Sequence, residues 1–257
     1  MTALAARQVM INRAISVMTP VILLGAWELA AGLNAIDTRF FSSPTRILVE
    51  FWTMAADGEL LRHTSASVVR ILVGFLIGTA LGIVIGLAIG LFPWVAAALQ
   101  PLVDATFPIP KVGLLPLVII LFGLGEGSKY AIIAISVVYL IIINTAAGVR
   151  QIDNIYLDVG RNYRAGRWMM FTDVALPGAL PSIMTGMKVA MGVSLIVIVT
   201  AESLAAKSGI GYLIWTSWQV FEVEKMYVGL FVSAILGFAS ATLLDWFERR
   251  LIPWKHR

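Results

Sequence analysis

A cluster of charged side chains interrupts the apolar part of this chain in one stretch. Four arginines and three aspartates lie there between two long apolar runs: Arg150, Arg161, Arg164, Arg167, Asp153, Asp158 and Asp173. A polar insert of this length must lie outside the hydrocarbon core of a bilayer. Its arginines favour the cytoplasmic side, because short cytoplasmic loops carry the Lys/Arg excess. The stretch could be an ordinary solvated loop or a docking element, since aromatic residues, Met and Arg are enriched at interface cores.

A second set of candidate residues interrupts the apolar part of the chain. Prolines recur through residues 93–127, so this region cannot be one regular helix, and irregular backbone at membrane depth needs surrounding protein or a water-filled cavity. An ionisable residue there, Lys111, is a functional-site hypothesis. It could instead pair with Asp104 or with the C-terminal end of a broken helix. The candidate pathway residues are Pro108, Pro110, Lys111, Tyr139, Asn144 and Glu202.

Several chemistries are excluded by composition. The chain has no cysteine, which removes disulfides, thiolate catalysis and zinc–cysteine sites. Its two histidines, His63 and His256, are far apart. No Gly-x-x-x-x-Gly-Lys-Ser/Thr phosphate loop, nucleophile–base pair or metal-ligand cluster is present. We therefore expect no catalytic residue, no metal site and no enzymatic activity, and the lack of a long basic run argues against a nucleic-acid partner.

The composition predicts an all-α transmembrane protein. Of 257 residues, 59% are hydrophobic and 13% charged, whereas soluble domains have about 25% charged residues. A span needs about 20 apolar residues. Six regions qualify, the third being the proline-rich one: Ile15–Leu33, Val68–Phe92, 93–127, Tyr130–Gly148, Ile183–Glu202 and Met226–Leu244.

The chain divides into two predicted parts. Residues 1–66 hold the first span, which we expect to be retained rather than cleaved, and a short amphipathic helix that begins at Ser43-Pro44. Residues 67–257 form a transmembrane domain containing the 150–181 loop. Within the loop, Asp153 can cap a helical turn, a second helical stretch follows Gly166, and Pro181 is expected to start the next span.

Charge asymmetry orients the spans. An even number of spans puts both termini on the same side of the membrane, and we expect that side to be cytoplasmic. Ten Lys and Arg residues lie on the expected inside: Arg7, Arg13, Arg150, Arg161, Arg164, Arg167, Arg249, Arg250, Lys255 and Arg257. Six lie on the expected outside: Arg39, Arg46, Arg62, Lys129, Lys207 and Lys225.

The second span carries a glycine at every fourth position. At about 100° per residue, this spacing puts the glycines on one slowly drifting face, where they allow another helix backbone to approach closely. We expect this stripe to serve helix packing rather than ligand binding. Its members are Gly74, Gly78, Gly82, Gly86 and Gly90.

The loop resembles the cytoplasmic "EAA" coupling loop of binding-protein-dependent ABC importers. Asp158-Val159-Gly160 stands where that family has Glu-Ala-Ala, and Ala165-Gly166-Arg167-Trp168 is similar to its Ala-Ser-Arg-Trp. Leu176-Pro177 and Leu180-Pro181 match outright. Two departures are that Asp replaces Glu, and that Arg164 stands where the family usually has Gly.

Two further stretches carry the resemblance. The segment from Pro108 to Lys129, with Pro-x-Pro-Lys and Phe-Gly-x-Gly-Glu-x-Ser-Lys, is similar to the third span of the sulfonate, nitrate and taurine importer branch. Ser208-Gly209-Ile210-Gly211-Tyr212 resembles the Ser-Gly-Leu-Gly-Tyr of that family.

The resemblance implies a permease subunit with a type I importer core in a bacterial inner membrane. It implies a homodimer in lipid, two cytoplasmic ATPase subunits that hold ATP and Mg²⁺, and a periplasmic binding protein that delivers a small polar or anionic solute. No cofactor is implied on this chain. The residues that would couple to the ATPase are Asp158, Val159, Gly160, Arg164, Arg167, Trp168, Phe171, Leu176 and Pro177.

Two rival functions remain at this level. An autonomous secondary transporter or channel would need its own coupling-ion site, for which Lys111, Asp104 and Glu202 are the candidates, and no inverted repeat is visible. A membrane enzyme is a weaker rival because no catalytic constellation is present.

Overall fold

In a computed structural model, the chain consists of helices joined by short loops over residues 3–256. Side chains of residues 1–6, 9, 13, 17, 154, 157, 161, 167 and 255–257 lie outside the description. The elements in chain order are α1 Ala3–Gly32, α2 Thr38–Phe41, α3 Pro44–Ala56, α4 Glu59–Leu91, α5 Pro93–Thr106, a 3₁₀ turn Lys111–Leu114, α6 Leu115–Phe122, α7 Glu126–Arg150, α8 Asn154–Asn162, α9 Arg167–Met169, a π-helix Met170–Ala175, α10 Leu176–Ala205, α11 Ile210–Gln219, α12 Val223–Leu251 and a 3₁₀ turn Pro253–His256.

Six membrane spans can be drawn through the described residues, as the composition predicts. Five helices are long and apolar enough to cross a bilayer, and the bent pair formed by α5 and the Lys111–Phe122 segment makes the sixth. The two halves of that pair meet at 91°. The predicted break in the third span is therefore confirmed, and Pro108 and Pro110 lie at the bend, where their fixed φ and missing N–H groups exclude a continuous helix.

The chain groups into two compact units. One comprises Met1–Leu61 with Leu213–Leu230, and the other comprises Arg62–Tyr212 with Phe231–Arg257. Within the first unit, the Ser43 side chain caps α3 by accepting from the Arg46 N–H, and Pro44 occupies the first turn, as the sequence predicts. The Glu28 carboxylate accepts the Thr45 N–H at 2.9 Å, so this acid of the first span has a structural contact at the start of α3.

The second unit holds the main core, which lies between α4, α6, α7 and α10. Its buried side chains are mostly aliphatic: Ile71, Phe75, Leu115, Val118, Ile132, Ile133, Val137, Ile141, Met184 and Ile198 are among them. Such a core has the aliphatic composition of a soluble domain. The outer faces differ, because large apolar side chains such as Leu76, Val84, Ile120 and Ile196 remain exposed. An exposed apolar surface of this extent is typical of a surface that faces lipid or another subunit.

Three expectations are corrected by the structure. Pro181 does not start a helix, since α10 begins at Leu176 with Pro177 in its first turn and runs through Pro181 without interruption. Helix α10 instead follows directly on the π-helix Met170–Ala175 and carries Pro181 as an internal proline. Lys129 and Lys225, counted above as outer-loop cations, lie instead in the first turns of α7 and α12.

Candidate functional site

The first part of the candidate site is the 150–181 loop. Its helix α8 starts at Asn154, directly after Asp153, and the Asp153 Oδ1 atom accepts the Ile155 N–H at 3.0 Å. This is the cap that the sequence predicts, since a short acidic side chain satisfies N–H groups that have no partner inside the first turn. Asp158 and Val159 lie on the exposed surface of α8, and Gly160 is buried. An alanine Cβ at Gly160 would collide with the Met170 sulfur, so glycine allows the π-helix to pack directly on α8.

The turn after α8 carries Arg164 in a left-handed conformation. The φ angle of Arg164 is +53°, and the Ala165 N–H donates to the Gly160 carbonyl at 2.9 Å. A residue with a Cβ pays about 1–2 kcal/mol for this conformation, which glycine adopts freely. The backbone geometry typical of a glycine therefore persists at Arg164, and the energetic cost is carried by the arginine.

Aromatic side chains of the loop project outward. Tyr163 is 84% exposed and Trp168 is 75% exposed, while Phe171 is half-buried with its ring 5.6 Å from the Trp168 ring. An apolar groove of about 550 Å³ runs alongside, and its walls include Tyr156, Val159, Tyr163, Met169, Pro177 and Trp254. The loop thus presents a shaped apolar surface next to charged residues, as a docking element requires.

The inner edge of the loop is tied to the core. Leu176 packs onto a cluster that includes Leu87, Val149 and Ile183, and Pro177 lines the groove. Gly178 lies against the Ile152 side chain, where an added Cβ would come within 2.9 Å. The side chain of Arg167, another predicted member of the set, lies outside the described residues.

The glycine stripe of α4 packs along α7. An alanine Cβ at each of the five positions would come within 2.6–2.7 Å of α7, against Ile133, Ala134, Ile141, Thr145 and Val149 in turn. These contacts are tighter than carbon atoms tolerate, so the two backbones approach as closely as they do only because the side chains are absent. The α4 backbone therefore lies directly against α7 at all five glycines.

Lys111 lies at the bend in the third span and binds the end of the preceding helix α5. Its Nζ atom donates to the carbonyl oxygens of Thr106, Phe107 and Ile109 at 3.0, 2.8 and 2.9 Å. It also lies 4.2 Å from the centroid of the Tyr139 ring, within reach of a cation–π interaction. A cation at the C-terminal end of a helix is favoured by the helix dipole. Of the two pairings open from the sequence, the structure shows the one with the broken helix end.

The remaining pathway candidates lie in three different surroundings. Pro108 and Pro110 are exposed at the bend. Asn144 is half-buried on α7, where its Nδ2 atom donates to the Leu140 carbonyl at 2.8 Å and its side chain packs against Gly186 of α10. Glu202 is not beside these residues, because it is completely buried in a separate ionic cluster.

Arg70 is the centre of this ionic cluster. Its Nη1 atom donates to Glu202 at 2.8 Å, and its Nε and Nη2 atoms donate to the two carboxylate oxygens of Glu126 at 2.6 and 2.7 Å. Ser67 Oγ donates to Glu202 at 2.8 Å. Lys129 lies beside Glu126, with 4.0 Å between Nζ and Oε1. Two cations and two carboxylates thus balance, which a buried ionic group requires.

The Ser208–Tyr212 segment is bound to this cluster through its backbone. The Ser208 carbonyl accepts from Arg70 at 2.6 Å, and the Gly211 N–H donates to Glu202 at 2.9 Å. Gly209 has a φ of +119° and lies directly over the Glu202 carboxylate, where no Cβ would fit. Glycine is therefore needed at this position twice, once for its conformation and once for its lack of a side chain.

Sequence reasoning missed Arg70, Glu126 and Lys129 as members of a site. A signal for Arg70 exists: His63, Ser67 and Arg70 are spaced i, i+4, i+7 and share a helix face with Gly74. The polar start of α4 is thus continuous with the glycine stripe. No comparable signal reveals the partners, because Glu126 and Glu202 lie 56 and 132 residues from Arg70 along the chain.

Known proteins share most of this chain. A family model described as binding-protein-dependent transport system inner membrane component matches residues 78–253. The chain is 37% identical to the putative aliphatic sulfonates transport permease protein SsuC of Escherichia coli (strain K12), covering 91% of this chain and 89% of that protein. It is 32% identical to the taurine transport system permease protein TauC of the same organism, covering 93% and 89%.

A solved structure has the same fold. It is an inward-facing conformation of the MetNI methionine ABC transporter, which matches with a TM-score of 0.68 at 16% identity. The match covers 75% of this chain and 95% of the MetNI chain.

Proposed function

The chain belongs to the family of binding-protein-dependent transport system inner membrane components and is the permease subunit of an ABC importer, and we propose that it carries a small sulfonate, taurine-like or nitrate-like anion. The proposal includes a binding protein that delivers the anion from outside. It also includes separate ATPase subunits, which hold ATP and Mg²⁺ themselves and dock at the 150–181 loop of this chain. Two copies of the chain form the pathway in lipid, with both termini in the cytoplasm.

The observation that carries the ATPase contact is the exposed aromatic surface of the loop. Burying one large apolar side chain is worth about 1.5–3 kcal/mol. Tyr163 and Trp168 are exposed instead, on a loop that is firmly tied to the core through Leu176 and Pro177. A rigid platform that presents aromatic rings beside an apolar groove has the features of an interface core. An autonomous transporter has no use for such a surface on a short loop.

Two observations support the cargo and the dimer. The basic side chains of Arg70 and Lys129 lie within or beside the spans, where charge is unfavourable and usually functional. Apolar faces on both units remain exposed, which a second copy and lipid would cover.

The test is co-purification of the ATPase with the permease, together with methanesulfonate uptake into vesicles containing the binding protein. We expect Trp168→Ala with Phe171→Ala, and separately Asp158→Lys, to weaken ATPase association or to uncouple ATP hydrolysis from transport. Binding of substrate to the binding protein should not change. Full ATPase retention and full transport in both variants would refute the docking proposal.

A matched control is available outside the loop. Trp94 is 74% exposed, close to the exposure of Trp168, and its ring lies 6.3 Å from that of Phe92. Trp94→Ala with Phe92→Ala removes a similar aromatic pair and should leave ATPase association intact. Uptake that continues without the ATPase or ATP would favour the autonomous transporter.

A further inference from the structure

The exposed edge of the ionic cluster is formed by Glu126. Arg70, Lys129 and Glu202 are buried, whereas the Glu126 side chain is 49% exposed. Its two oxygens occupy one edge of the Arg70 guanidinium, formed by Nε and Nη2, and one of them faces Lys129. The carboxylate of Glu126 is therefore a monoanion bound between two buried cations at the border between protein and surroundings.

We propose that Arg70 and Lys129 form an oxyanion site which Glu126 fills in this structure, and that a sulfonate or nitrate displaces Glu126 during passage. The proposal rests on the anionic cargo proposed above and assigns that cargo a binding position. The displaced carboxylate turns outward, and the arriving anion accepts the hydrogen bonds from Nε and Nη2 that Glu126 gives up.

The Arg70 edge suits such an exchange chemically. The guanidinium presents two parallel N–H groups, which match two oxygens of a carboxylate, sulfonate or nitrate equally well. The exchange replaces one monoanion by another, so the charge of the buried cluster does not change. This matters because an uncompensated buried charge is strongly destabilising.

The opposite edge of Arg70 holds the guanidinium in place during the exchange. Nη1 remains bound to Glu202 and to the Ser208 carbonyl. Glu202 in turn accepts from Ser67 and from the Gly211 N–H. Arg70 therefore keeps a full set of partners on its inner side when Glu126 departs, and it needs no rearrangement to meet the anion.

Space for the displaced carboxylate exists around Glu126. It lies in the first turn of α7, between Gly125 and Gly127. A Cβ at Gly125 would meet nothing within 4 Å, and one at Gly127 would meet only Phe122, at 3.7 Å and beyond. The glycines on both sides of Glu126 carry no side chain that would hinder it, and its own side chain is already 49% exposed, so the carboxylate has an open side toward which it can turn.

The Glu126 carboxylate also sets the affinity of the site for a free anion. Because it is attached to the chain, it competes with that anion for Arg70 at an effective concentration of about millimolar or above. A free anion must therefore bind weakly in the presence of Glu126. Weak binding is what a transport site requires, because an ion has to leave as readily as it enters.

Glu126→Gln tests the proposal, because the amide keeps the size of the side chain and removes its charge. We expect the purified complex carrying this variant to bind methanesulfonate at least about tenfold more tightly, by calorimetry. Uptake in vesicles should become slower as release becomes limiting. Dimethyl sulfone, a neutral molecule of the same shape, should not bind to either protein.

A second acid gives a matched control. Glu222 is 51% exposed and pairs with Lys225 three residues later, as Glu126 pairs with Lys129, but it has no arginine partner in the described ion pairs. Glu222→Gln should leave methanesulfonate affinity unchanged. Adding Arg70→Lys to Glu126→Gln should abolish the gain, since lysine cannot bind two oxygens in parallel.

The outcomes separate this proposal from the function on which it rests. If the wild-type complex takes up methanesulfonate but Glu126→Gln does not bind it more tightly, the exchange site is wrong and the proposed cargo stands. A lower melting temperature for Glu126→Gln without anion binding would show that Glu126 is only a structural partner of Arg70. Failure of wild-type complex to take up any small oxyanion would instead overturn the proposed cargo.

Discussion

Replacing Gly82 by alanine tests whether the α4–α7 contact holds the second unit together. The new Cβ would lie 2.6 Å from Ile141 Cβ and 2.9 Å from the Val138 carbonyl oxygen. Carbon atoms pack at about 3.5–4.0 Å, so the helices must separate by roughly 1 Å at this point. Neither neighbouring atom can rotate away, since one is backbone and the other is the Cβ of a β-branched residue. Overpacking of this kind costs about 1–3 kcal/mol.

Gly192→Ala provides the reference for this measurement. Gly192 lies inside α10, and a Cβ there would meet nothing within 4 Å. Both alanines gain about 1 kcal/mol of helix propensity, so the difference between the variants isolates the clash. At about 2–4 °C per kcal/mol for a chain of this size, Gly82→Ala should melt roughly 2–12 °C below Gly192→Ala in detergent. Equal melting temperatures would refute the packing function of the stripe, and we expect the larger Gly82→Leu to prevent assembly.

Three further substitutions test the bend, the loop and the glycine above Glu202. Lys111→Met should lower the melting temperature of the purified complex, because three carbonyl oxygens lose a charged donor worth about 1.5–3 kcal/mol. Loss of transport at an unchanged melting temperature would assign Lys111 to the pathway instead. Arg164→Gly should slow amide exchange in residues 155–165 by releasing up to about 1–2 kcal/mol of left-handed strain, and unchanged exchange would show that the arginine side chain offsets the strain. Gly209→Ala should destabilise the complex by at least about 2 kcal/mol, measured by thermal melting, because the Cβ meets the Glu202 carboxylate; a neutral result would mean that the Ser208–Tyr212 segment moves away at little cost.

Features set by local periodicity were predictable from the sequence. Apolar length gives the spans, the spacing of four places Gly74 to Gly90 on one face, and the prolines around Lys111 exclude a straight third span. Each of these depends on residues that are close along the chain. Asp153 as a helix cap belongs to the same class, because the cap and its N–H partner are two residues apart.

Two kinds of feature were not predictable from the sequence: contacts between residues that are distant along the chain, and the residue at which α10 begins. Arg70 pairs with acids on α7 and α10, and nothing in the local pattern identifies which acids these are. Lys129 reads as a loop cation, yet its Nζ atom is buried and donates to the Leu124 and Gly125 carbonyls. Pro181 reads as a helix start because proline is favoured in the first turn of a helix, but that position is taken by Pro177, since α10 already begins at Leu176.

The close contact between α4 and α7 also has a mechanical consequence. Two rods that slide past each other bend easily, whereas two rods joined along their length resist bending as one thicker beam. Helix α7 has 25 residues, which corresponds to about 37 Å at 1.5 Å per residue, and the five glycines join α4 to most of that length. Arg150, at one end of this beam, adjoins the 150–181 loop, and Glu126, at the other end, binds Arg70. A force applied to the loop therefore reaches the ionic cluster as a tilt of the whole beam, and little of it is lost in bending.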